Sequence, residues 1–401
     1  MNLDLYLSEM SVSDATGGGL TVQRILGEDV DNIGLFVHVH PYGHLDTDQR
    51  TDPPTARITQ RCMDLPAMWL TTPSARRWLG SRPAYWLSRR PELRRMAAKR
   101  AAAAIHARLP KTDATLRALV SPQHAASLYV LEELRCLRRI EYVTWVMDDH
   151  LVRWRESGWV YPPHTEELFA HHLRDARSVL VISQVMQEFY RQRFGVESAV
   201  LFGPTDVPAD MPVTSPASDA GLRLAYFGAV DTWQMDALRL VAEQLKAENA
   251  TLDIYCGLAA LPAALNVPGV QLVGRIAPDQ VLATMRQYHA LVLPISFRPE
   301  MRNMSELNIA TKMSECLASG VATFAIGPAY AAMIQYLREH DAAICVSDPT
   351  IDGMALGFRH LRDEQIRKVV ADRARTVAAR QLSTGAMQAV WRAARDQLAL
   401  I

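Results

Sequence analysis

The chain is poor in cysteine, and its few cysteines form no motif. Five are spread over 401 residues without a Cys-x-x-Cys spacing. An odd number without motif spacing fits a reducing compartment, and it argues against both a disulfide framework and a zinc module. An excess of one charge is missing too, because 43 basic residues balance 43 acidic ones. Without a basic excess or a nucleic-acid-binding motif, we expect no nucleic-acid partner.

A long uninterrupted apolar run is also missing. Residues 316–337 carry no charge, but Gly320, Gly327 and Pro328 stand at turn positions within them. These turns divide the stretch into a helix end, a strand and a new helix, so we interpret it as buried α/β core rather than a membrane span. Residues 1–6 are acidic rather than basic and then apolar, so we expect no signal peptide and a cytoplasmic protein.

The length indicates two domains of about 200 residues each, because 401 residues are long for a single core. Residues 203–221 are rich in proline, aspartate and serine and have little apolar periodicity, which is typical of a surface linker. After them, strand and helix patterns alternate as far as residue 347, which predicts a parallel sheet covered by helices on both faces. We predict domains at 1–208 and 209–381, followed by a C-terminal helix at 382–401.

The most informative segment is TKMSECLASG, residues 311–320. Thr311 and Lys312 precede Glu315 by one helical turn, and Gly320 is suited to the left-handed cap that closes a helix. In a helix that begins near Asn308, Thr311 and Glu315 lie about 6 Å apart along the axis on one face. A lysine beside free backbone N–H groups favours phosphate, and a carboxylate one turn later can bind a ribose. The alternative is an ordinary amphipathic helix whose apolar face is buried.

This segment and its surroundings resemble the nucleotide-binding half of GT-B glycosyltransferases, especially the retaining family-4 type. The matching pieces are ALVLP at 290–294 and ATKMSECLASGVATFAIGP at 310–328, preceded by strand–helix units that begin near 223, 251 and 270. The resemblance implies an α/β protein of GT-B architecture, with two Rossmann-like domains that face each other across a cleft. It also implies that the last helix, 382–401, crosses back to the N-terminal domain.

The resemblance assigns the donor site to the C-terminal domain. Thr311 and Lys312 would hold the phosphates, Glu315 the ribose, and the turn at Arg275 and Ile276 the base. The turn after the first strand of this domain, which includes Gly228, would also contact the nucleotide.

The sequence departs from the family pattern at three positions. Leu307 stands where the family has the first of two glutamates, so Glu300 or Glu306 would have to reach the donor sugar. The usual Arg-Lys phosphate clamp is missing from residues 228–233, so Lys312 would neutralise the diphosphate together with Arg298 or Arg302. Ala310 replaces a proline.

The N-terminal half carries three consecutive glycines, Gly17, Gly18 and Gly19, between a predicted strand and a helix. Such a turn lets the backbone approach a ligand closely, although a flexible surface loop has the same composition. The turn resembles the family-4 loop that faces the cleft, which implies a role on the acceptor side. Nearby, His38 and His40 share one strand face, but no acidic or cysteine partner is obvious, so we expect no metal.

Two adjacent carboxylates, Asp148 and Asp149, end an apolar strand at 140–147. Ligands bind at the carboxyl ends of strands in open α/β sheets, and neighbouring like charges raise one pKa. We therefore predict that these residues orient or deprotonate an acceptor hydroxyl. The alternative is that one of them only caps a following helix. The elements around them resemble the family-4 pattern, with His150 in place of the usual tryptophan.

Residues 71–110 contain nine arginines and one lysine against a single acid, with tryptophan and tyrosine interleaved. A solvated helix face, a nucleic-acid surface and a membrane-surface patch are the three explanations. The aromatic residues and the arginines favour peripheral docking at the inner face of a membrane.

Taken together, the sequence predicts a hexosyltransferase that moves a sugar from a nucleotide diphosphate sugar to a glycan, lipid-linked or protein acceptor hydroxyl, with retention and without a cofactor, in polysaccharide or glycoconjugate biosynthesis. Two alternatives stay open. One is a nucleotide-sugar epimerase or hydrolase on the same fold, and the other is a catalytically degenerate partner subunit.

Overall fold

The structure is a computed structural model that describes residues 2–10, 12, 17–40, 57–61, 90–208 and 221–399. Most of the arginine-rich segment and the centre of the predicted linker lie outside these residues.

The N-terminal half is built on a sheet whose described strands number seven and are all parallel, in the order β3-β2-β1-β4-β5-β8-β9. A separate antiparallel hairpin, β6–β7, is inserted after β5. The bounds are β1 Leu5–Ser8, β2 Phe36–His40, β3 Arg57–Arg61, β4 Leu116–Ser121, β5 Ile140–Val146, β6 Arg153–Arg155, β7 Gly158–Val160, β8 Ser178–Val181 and β9 Ala199–Val200.

Five α-helices are described in this half, and local sequence explains where they begin and end. The last of them begins after Ser183, whose hydroxyl accepts a hydrogen bond from the backbone N–H of Met186, and it ends at Gly195 in the left-handed conformation with φ 66°. The bounds are α1 Gly17–Leu26, α2 Pro91–His106, α3 Ala125–Leu137, α4 Thr165–Asp175 and α5 Gln184–Phe194. Alanines line the buried face of α2, which packs closely against α3.

The C-terminal half contains a parallel sheet of six strands within residues 221–399, in the order β12-β11-β10-β13-β14-β15. Its central strands are continuous apolar runs such as ALVLP because helices cover both faces. The bounds are β10 Leu222–Phe227, β11 Ala250–Tyr255, β12 Val270–Leu272, β13 Ala290–Pro294, β14 Ala322–Ile326 and β15 Ile344–Val346.

Eight α-helices follow or connect these strands in the part of this half that is described. The bounds are α6 Met235–Gln244, α7 Pro278–Met285, α8 Arg302–Glu306, α9 Lys312–Ala318, α10 Ala332–Glu339, α11 Ile351–Arg362, α12 Glu364–Gln381 and α13 Thr384–Asp396. No helix in the described ranges is long and apolar enough to cross a bilayer.

The last helix, α13, lies against α1 of the N-terminal half. The guanidinium of Arg395 binds both carboxylate oxygens of Asp29 at 2.7 and 2.8 Å, and the indole N–H of Trp391 donates to the same carboxylate at 2.9 Å. Gln388 donates to the carbonyl of Arg24 at 3.0 Å. These contacts fix the C-terminal end of α1 and the turn that follows it.

Candidate functional site

The strand order places a crevice at the carboxyl end of β10. This strand lies between β11 and β13. From β10 the strand order runs outward through β11 to β12 on one side, and through β13 to β14 and β15 on the other, so the order reverses beside β10. Ligands of open α/β sheets bind at such a reversal, outside the carboxyl ends of the strands. Gly228 follows β10 there with φ 135°, a conformation that favours glycine.

Lys312 fills the space beside Gly228. A Cβ added to Gly228 would lie 2.8 Å from the Lys312 ammonium. The same ammonium donates to the hydroxyl of Tyr226 at 2.5 Å, and that hydroxyl donates to the carbonyl of Ala229 at 2.5 Å. The ammonium therefore lies directly against the turn that follows β10.

The charge of Lys312 forms no ion pair with a carboxylate of the described residues, although Asp231 is near enough to stabilise it. Burial lowers the pKa of its ammonium to about 8. Among the described residues, no carboxylate oxygen lies within 4 Å of the Lys312 nitrogen. A partly buried cation without a counterion is a favourable place for an anionic ligand.

The helix that carries Lys312 is shorter than expected. It begins at Lys312 instead of near Asn308, because residues 302–306 form the separate helix α8 and the carbonyl of Leu307 accepts from the hydroxyl of Ser183 at 2.5 Å. Thr311 precedes the first helical residue. The first turn is held from the N-terminal half, since Ser314 donates its hydroxyl to the carbonyl of Gly203 at 2.5 Å.

Glu315, the predicted ribose ligand, already has a partner. Its Oε1 accepts from the guanidinium of Arg24 in α1 at 2.9 Å, and each side chain keeps about a third of its surface exposed. A residue of the N-terminal half thus reaches the predicted nucleotide site, and no local sequence pattern predicts this contact.

The turn predicted to contact the base follows β12, which lies two strands from β10 in the same sheet. Gly274 has φ 104°, and Arg275 lies over Gly257 at the end of β11, where an added Cβ would come within 2.4 Å of the Arg275 Nε. Arg275 is exposed and Ile276 half-buried. These groups are available to a planar ring.

The acidic candidates for the donor sugar occupy different environments. Glu300 is exposed and paired at 3.1 Å with Arg298, which is also exposed. Glu306 is mostly buried and paired with Arg302, whose guanidinium lies 3.6 Å from the ring centre of Trp154 and 4.5 Å from that of Tyr330. Of the two, Glu306 is held more firmly, because its partner Arg302 packs against two aromatic rings.

Asp149 is fully engaged in holding its own region together. Its Oδ1 accepts from the backbone N–H groups of Leu151 and Val152, and its Oδ2 from the hydroxyls of Tyr161 and Tyr190 at 3.0 and 2.9 Å. Burial raises the pKa of this carboxyl, against the effect of those bonds. With both oxygens occupied, this geometry favours a structural role over proton transfer.

Asp148 has the opposite character. It is half-buried, and its carboxylate forms no hydrogen bond or ion pair with any residue in the described ranges. Desolvation raises its pKa to about 6. A carboxylate of that kind at the end of β5 is suited to accept a proton from a hydroxyl.

Two residues beside His150, His124 and Trp233, were not singled out by the sequence. His124 stacks on His150 with ring centres 4.8 Å apart, and Trp233 of the C-terminal half lies 5.7 Å from His150. Burial is the main cause that lowers the pKa of His124 to about 4 and that of His150 to about 3, so both rings are neutral at pH 7. His124 follows β4 directly, and the strand-end rule that selected Asp148 would also have found it.

Gly17, Gly18 and Gly19 form the first turn of α1, so they are not a free loop. A Cβ on Gly18 would come within 2.1 Å of the Met10 sulfur, so a larger residue there would displace the Met10 side chain. Close approach to a ligand stays a prediction for this turn.

The histidine pair considered for a metal is only partly described. His38 has its Nε2 2.9 Å from the carbonyl of Glu9, while the side chain of His40 lies outside the description. Among the residues described, no group of three or more His, Cys, Asp or Glu could hold a metal ion.

The fold is similar to solved glycosyltransferase structures along the whole chain. Sucrose-phosphate synthase from Thermosynechococcus elongatus aligns with a TM-score of 0.65 at 13% identity, covering 100% of both chains. HepE from Anabaena, solved with UDP and glucose, aligns with a TM-score of 0.64 at 14% identity and the same coverage. A glycosyltransferase from Rickettsia africae gives 0.62 at 12% identity, covering 100% of this chain and 99% of that one.

No family model matches the sequence, and no curated protein matches it. At these identities the structural likeness establishes the fold. The predicted GT-B architecture with two Rossmann-like domains is confirmed.

Proposed function

We propose that this protein is a glycosyltransferase that moves a hexose-type sugar from a nucleotide diphosphate sugar to an acceptor hydroxyl, with retention at the anomeric carbon. The observation that carries the proposal is the Lys312 ammonium, which lies under the Gly228 turn without a carboxylate partner in the described residues. Similar folds have been solved with UDP bound, which is consistent with a diphosphate at this position.

The donor would extend from this cation along the edge of the C-terminal sheet. Lys312 and Thr311 bind the diphosphate, Glu315 the ribose, and the turn at Arg275 and Ile276 the base. The sugar then points toward the N-terminal half, and Glu306 of α8 is the carboxylate that its neighbours hold in place for it. Arg298 would assist with the diphosphate and Glu300 with the sugar as the second candidates, and both are exposed.

In the reaction, the bond between the anomeric carbon and the diphosphate oxygen breaks, and its electron pair stays on the diphosphate. The acceptor oxygen forms the new bond to the same carbon, and its proton passes to Asp148, whose raised pKa suits it to that transfer. Lys312 stabilises the charge that develops on the leaving diphosphate. Orientation and charge stabilisation account for most of the rate in such a site.

The acceptor would enter from the N-terminal half, and a lipid-linked acceptor would fit the basic helix α2. Its exposed side carries Arg95, Lys99 and Arg100 beside Met96, which is 47% exposed. Basic side chains around an apolar one favour a membrane surface. We therefore propose a role in glycolipid, polysaccharide or glycoconjugate biosynthesis at the inner face of a membrane.

The test is to incubate the purified protein with UDP- and GDP-hexoses, with and without glycan and lipid-linked acceptors, and to follow nucleoside diphosphate release. The matched variants are Lys312→Gln and Lys246→Gln, the second on an exposed lysine near the amino end of β10, the end opposite to Gly228. Acceptor-dependent release that Lys312→Gln reduces by about 100-fold, while Lys246→Gln leaves it unchanged, supports the proposal. The anomeric proton coupling in the product reports retention.

Other outcomes select the alternatives. Release without any acceptor indicates a hydrolase, and interconversion of the donor sugar indicates an epimerase. Binding of a nucleoside diphosphate without turnover indicates a degenerate partner subunit. One observation favours this last alternative: position 307 is a buried leucine whose carbonyl is bound by Ser183, so no carboxylate is available there.

A further inference from the structure

Arg24 connects the first helix of the N-terminal half to the predicted ribose ligand. Its guanidinium is 2.9 Å from Glu315 Oε1 and 3.4 Å from the carbonyl oxygen of Pro204. Glu315 Oε2, by contrast, makes no hydrogen bond with the residues that the structure describes. One carboxylate oxygen is therefore occupied and the other is available.

The position of Arg24 is fixed by contacts on both sides. Its own carbonyl accepts from Gln388 of α13 at 3.0 Å, and the turn that follows α1 is held by Asp29 through its bonds to Trp391 and Arg395. Gly27 permits this approach, since it has φ 53° and an added Cβ would come within 2.7 Å of the Gln388 amide nitrogen. The helix that carries Arg24 is thus held in place by α13, the last helix of the described chain.

The partner, Glu315, is fixed in the same way. It shares the first turn of α9 with Ser314, whose hydroxyl binds the carbonyl of Gly203, the residue next to Pro204. The ion pair and this hydrogen bond attach one short backbone segment, 203–204, to the helix that begins with Lys312. Both charged side chains remain about one-third exposed, so a ligand can reach the carboxylate.

We propose that Arg24 is a positioning residue of the nucleotide site: by binding Glu315 Oε1 it directs Oε2 toward the ribose hydroxyls of a nucleoside diphosphate. This inference rests on the proposed function. It assigns to the N-terminal half a part in selecting ribose, in addition to its contact with the acceptor. It also gives the C-terminal helix α13 a role, because that helix anchors α1.

The proposal predicts a specific effect on the sugar of the nucleotide. A hydroxyl bound to a charged carboxylate contributes more than a neutral hydrogen bond, so the wild type should prefer a ribonucleotide over its 2′-deoxy or 3′-deoxy counterpart by about tenfold. Arg24→Gln should raise the Kd of the ribonucleotide and leave that of the deoxynucleotides unchanged, which reduces the preference to about twofold or less. Arg24→Lys, which keeps a cation, should retain part of it.

The experiment measures Kd by titration calorimetry for UDP and GDP, each beside its 2′-deoxy and 3′-deoxy counterparts. The matched control is Arg193→Gln, which breaks an ion pair with Glu166 of similar exposure, 38% and 42%, between α5 and α4 of the N-terminal half. Glu315→Gln should reproduce the Arg24→Gln result, and the double variant should lose nothing further, because the two residues act as one unit.

The outcomes separate this inference from the function on which it rests. An unchanged preference in Arg24→Gln, or an equal loss of affinity for ribo- and deoxynucleotides, overturns the positioning role. If Lys312→Gln still weakens binding of all these nucleotides, the proposed function stands in that case. A wild type that binds neither UDP nor GDP overturns both.

Discussion

The ammonium of Lys312 donates a hydrogen bond to the hydroxyl of Tyr226 and lies 4.1 Å from the centre of the same ring. The ring face and the hydroxyl stabilise the positive charge, yet they do not neutralise it. Burial therefore outweighs these contacts and lowers the pKa of Lys312 to about 8. A bound diphosphate would raise this pKa and favour the protonated ammonium.

Nucleotide binding should therefore take up a proton through Lys312. A group with a pKa of about 8 is half deprotonated at pH 8, and a bound anion raises that pKa, so binding of UDP at pH 8 should take up about half a proton. Affinity should fall as the pH rises above 8 and change little below pH 7. Calorimetry in two buffers of different ionisation enthalpy measures the uptake. Lys312→Gln should abolish it, and an uptake that persists in this variant contradicts the assignment.

Gly228→Ala should disturb the same cation. At φ 135° an alanine is strained, and its Cβ would lie 2.8 Å from the Lys312 nitrogen. We expect a loss of about 1–2 kcal/mol in the free energy of unfolding and an increase of about tenfold in the Kd of UDP. Gly195→Ala is the control, because Gly195 has φ 66° with nothing within 4 Å of an added Cβ.

That control should lose stability alone. If both alanine variants bind UDP like the wild type in the same calorimetric titration, the Gly228 turn is not part of the nucleotide site.

Asp149→Asn should act on stability. Two backbone N–H groups and two tyrosine hydroxyls donate to this carboxylate, and an amide cannot accept all four. We expect the free energy of unfolding in urea to fall by about 3 kcal/mol. Tyr161→Phe removes a single one of these bonds and should cost about 1 kcal/mol. A fully stable Asp149→Asn protein that has lost turnover would instead support the catalytic role predicted from the sequence.

Asp148→Asn should act on turnover. Desolvation raises the pKa of Asp148 to about 6, and the base form is the one that accepts a proton, so activity should be present above pH 6 and fall as the pH drops through that value. Removing the base should reduce kcat by about 100- to 1,000-fold and flatten this acidic limb. Rates measured from pH 5 to pH 8 check both effects. An acidic limb that persists in Asp148→Asn belongs to another group.

Site residues could be predicted from the sequence where a residue type suited to binding or catalysis stands at the end of a strand or at the start of a helix. Lys312, Gly228 and Asp148 could be chosen because a special residue type stands directly after an apolar strand or at a helix start, and the alternation of strands and helices predicted the parallel sheets. These features are local. Each of them can be recognised from the residues next to it in the chain or within one helical turn.

Long-range pairing could not be predicted in the same way. Arg24 and Glu315 are 291 positions apart, and the Ser183 bond that ends the short helix α8 joins residues 124 positions apart. Nothing in the local pattern around Asp149 distinguishes it from Asp148, because the two tyrosines that occupy its carboxylate come from the hairpin region and from α5. Only the packing of the two halves decides which carboxylate is available.

Trp154→Ala tests whether the aromatic contact around Arg302 supports the donor sugar site. Arg302 lies between the rings of Trp154 and Tyr330 and binds Glu306, so loss of the indole frees the guanidinium and, with it, the carboxylate proposed to contact the sugar. A stacked, partly desolvated cation–π contact contributes about 1–2 kcal/mol, and we expect the KM for the sugar nucleotide to rise about tenfold. The Kd of UDP, which lacks the sugar, should change by less than about twofold. Trp154→Phe keeps a ring under the guanidinium and should restore most of the affinity for the donor. If Trp154→Ala weakens UDP and the sugar nucleotide equally, the hairpin supports the crevice as a whole and Glu306 has no separate contact with the sugar.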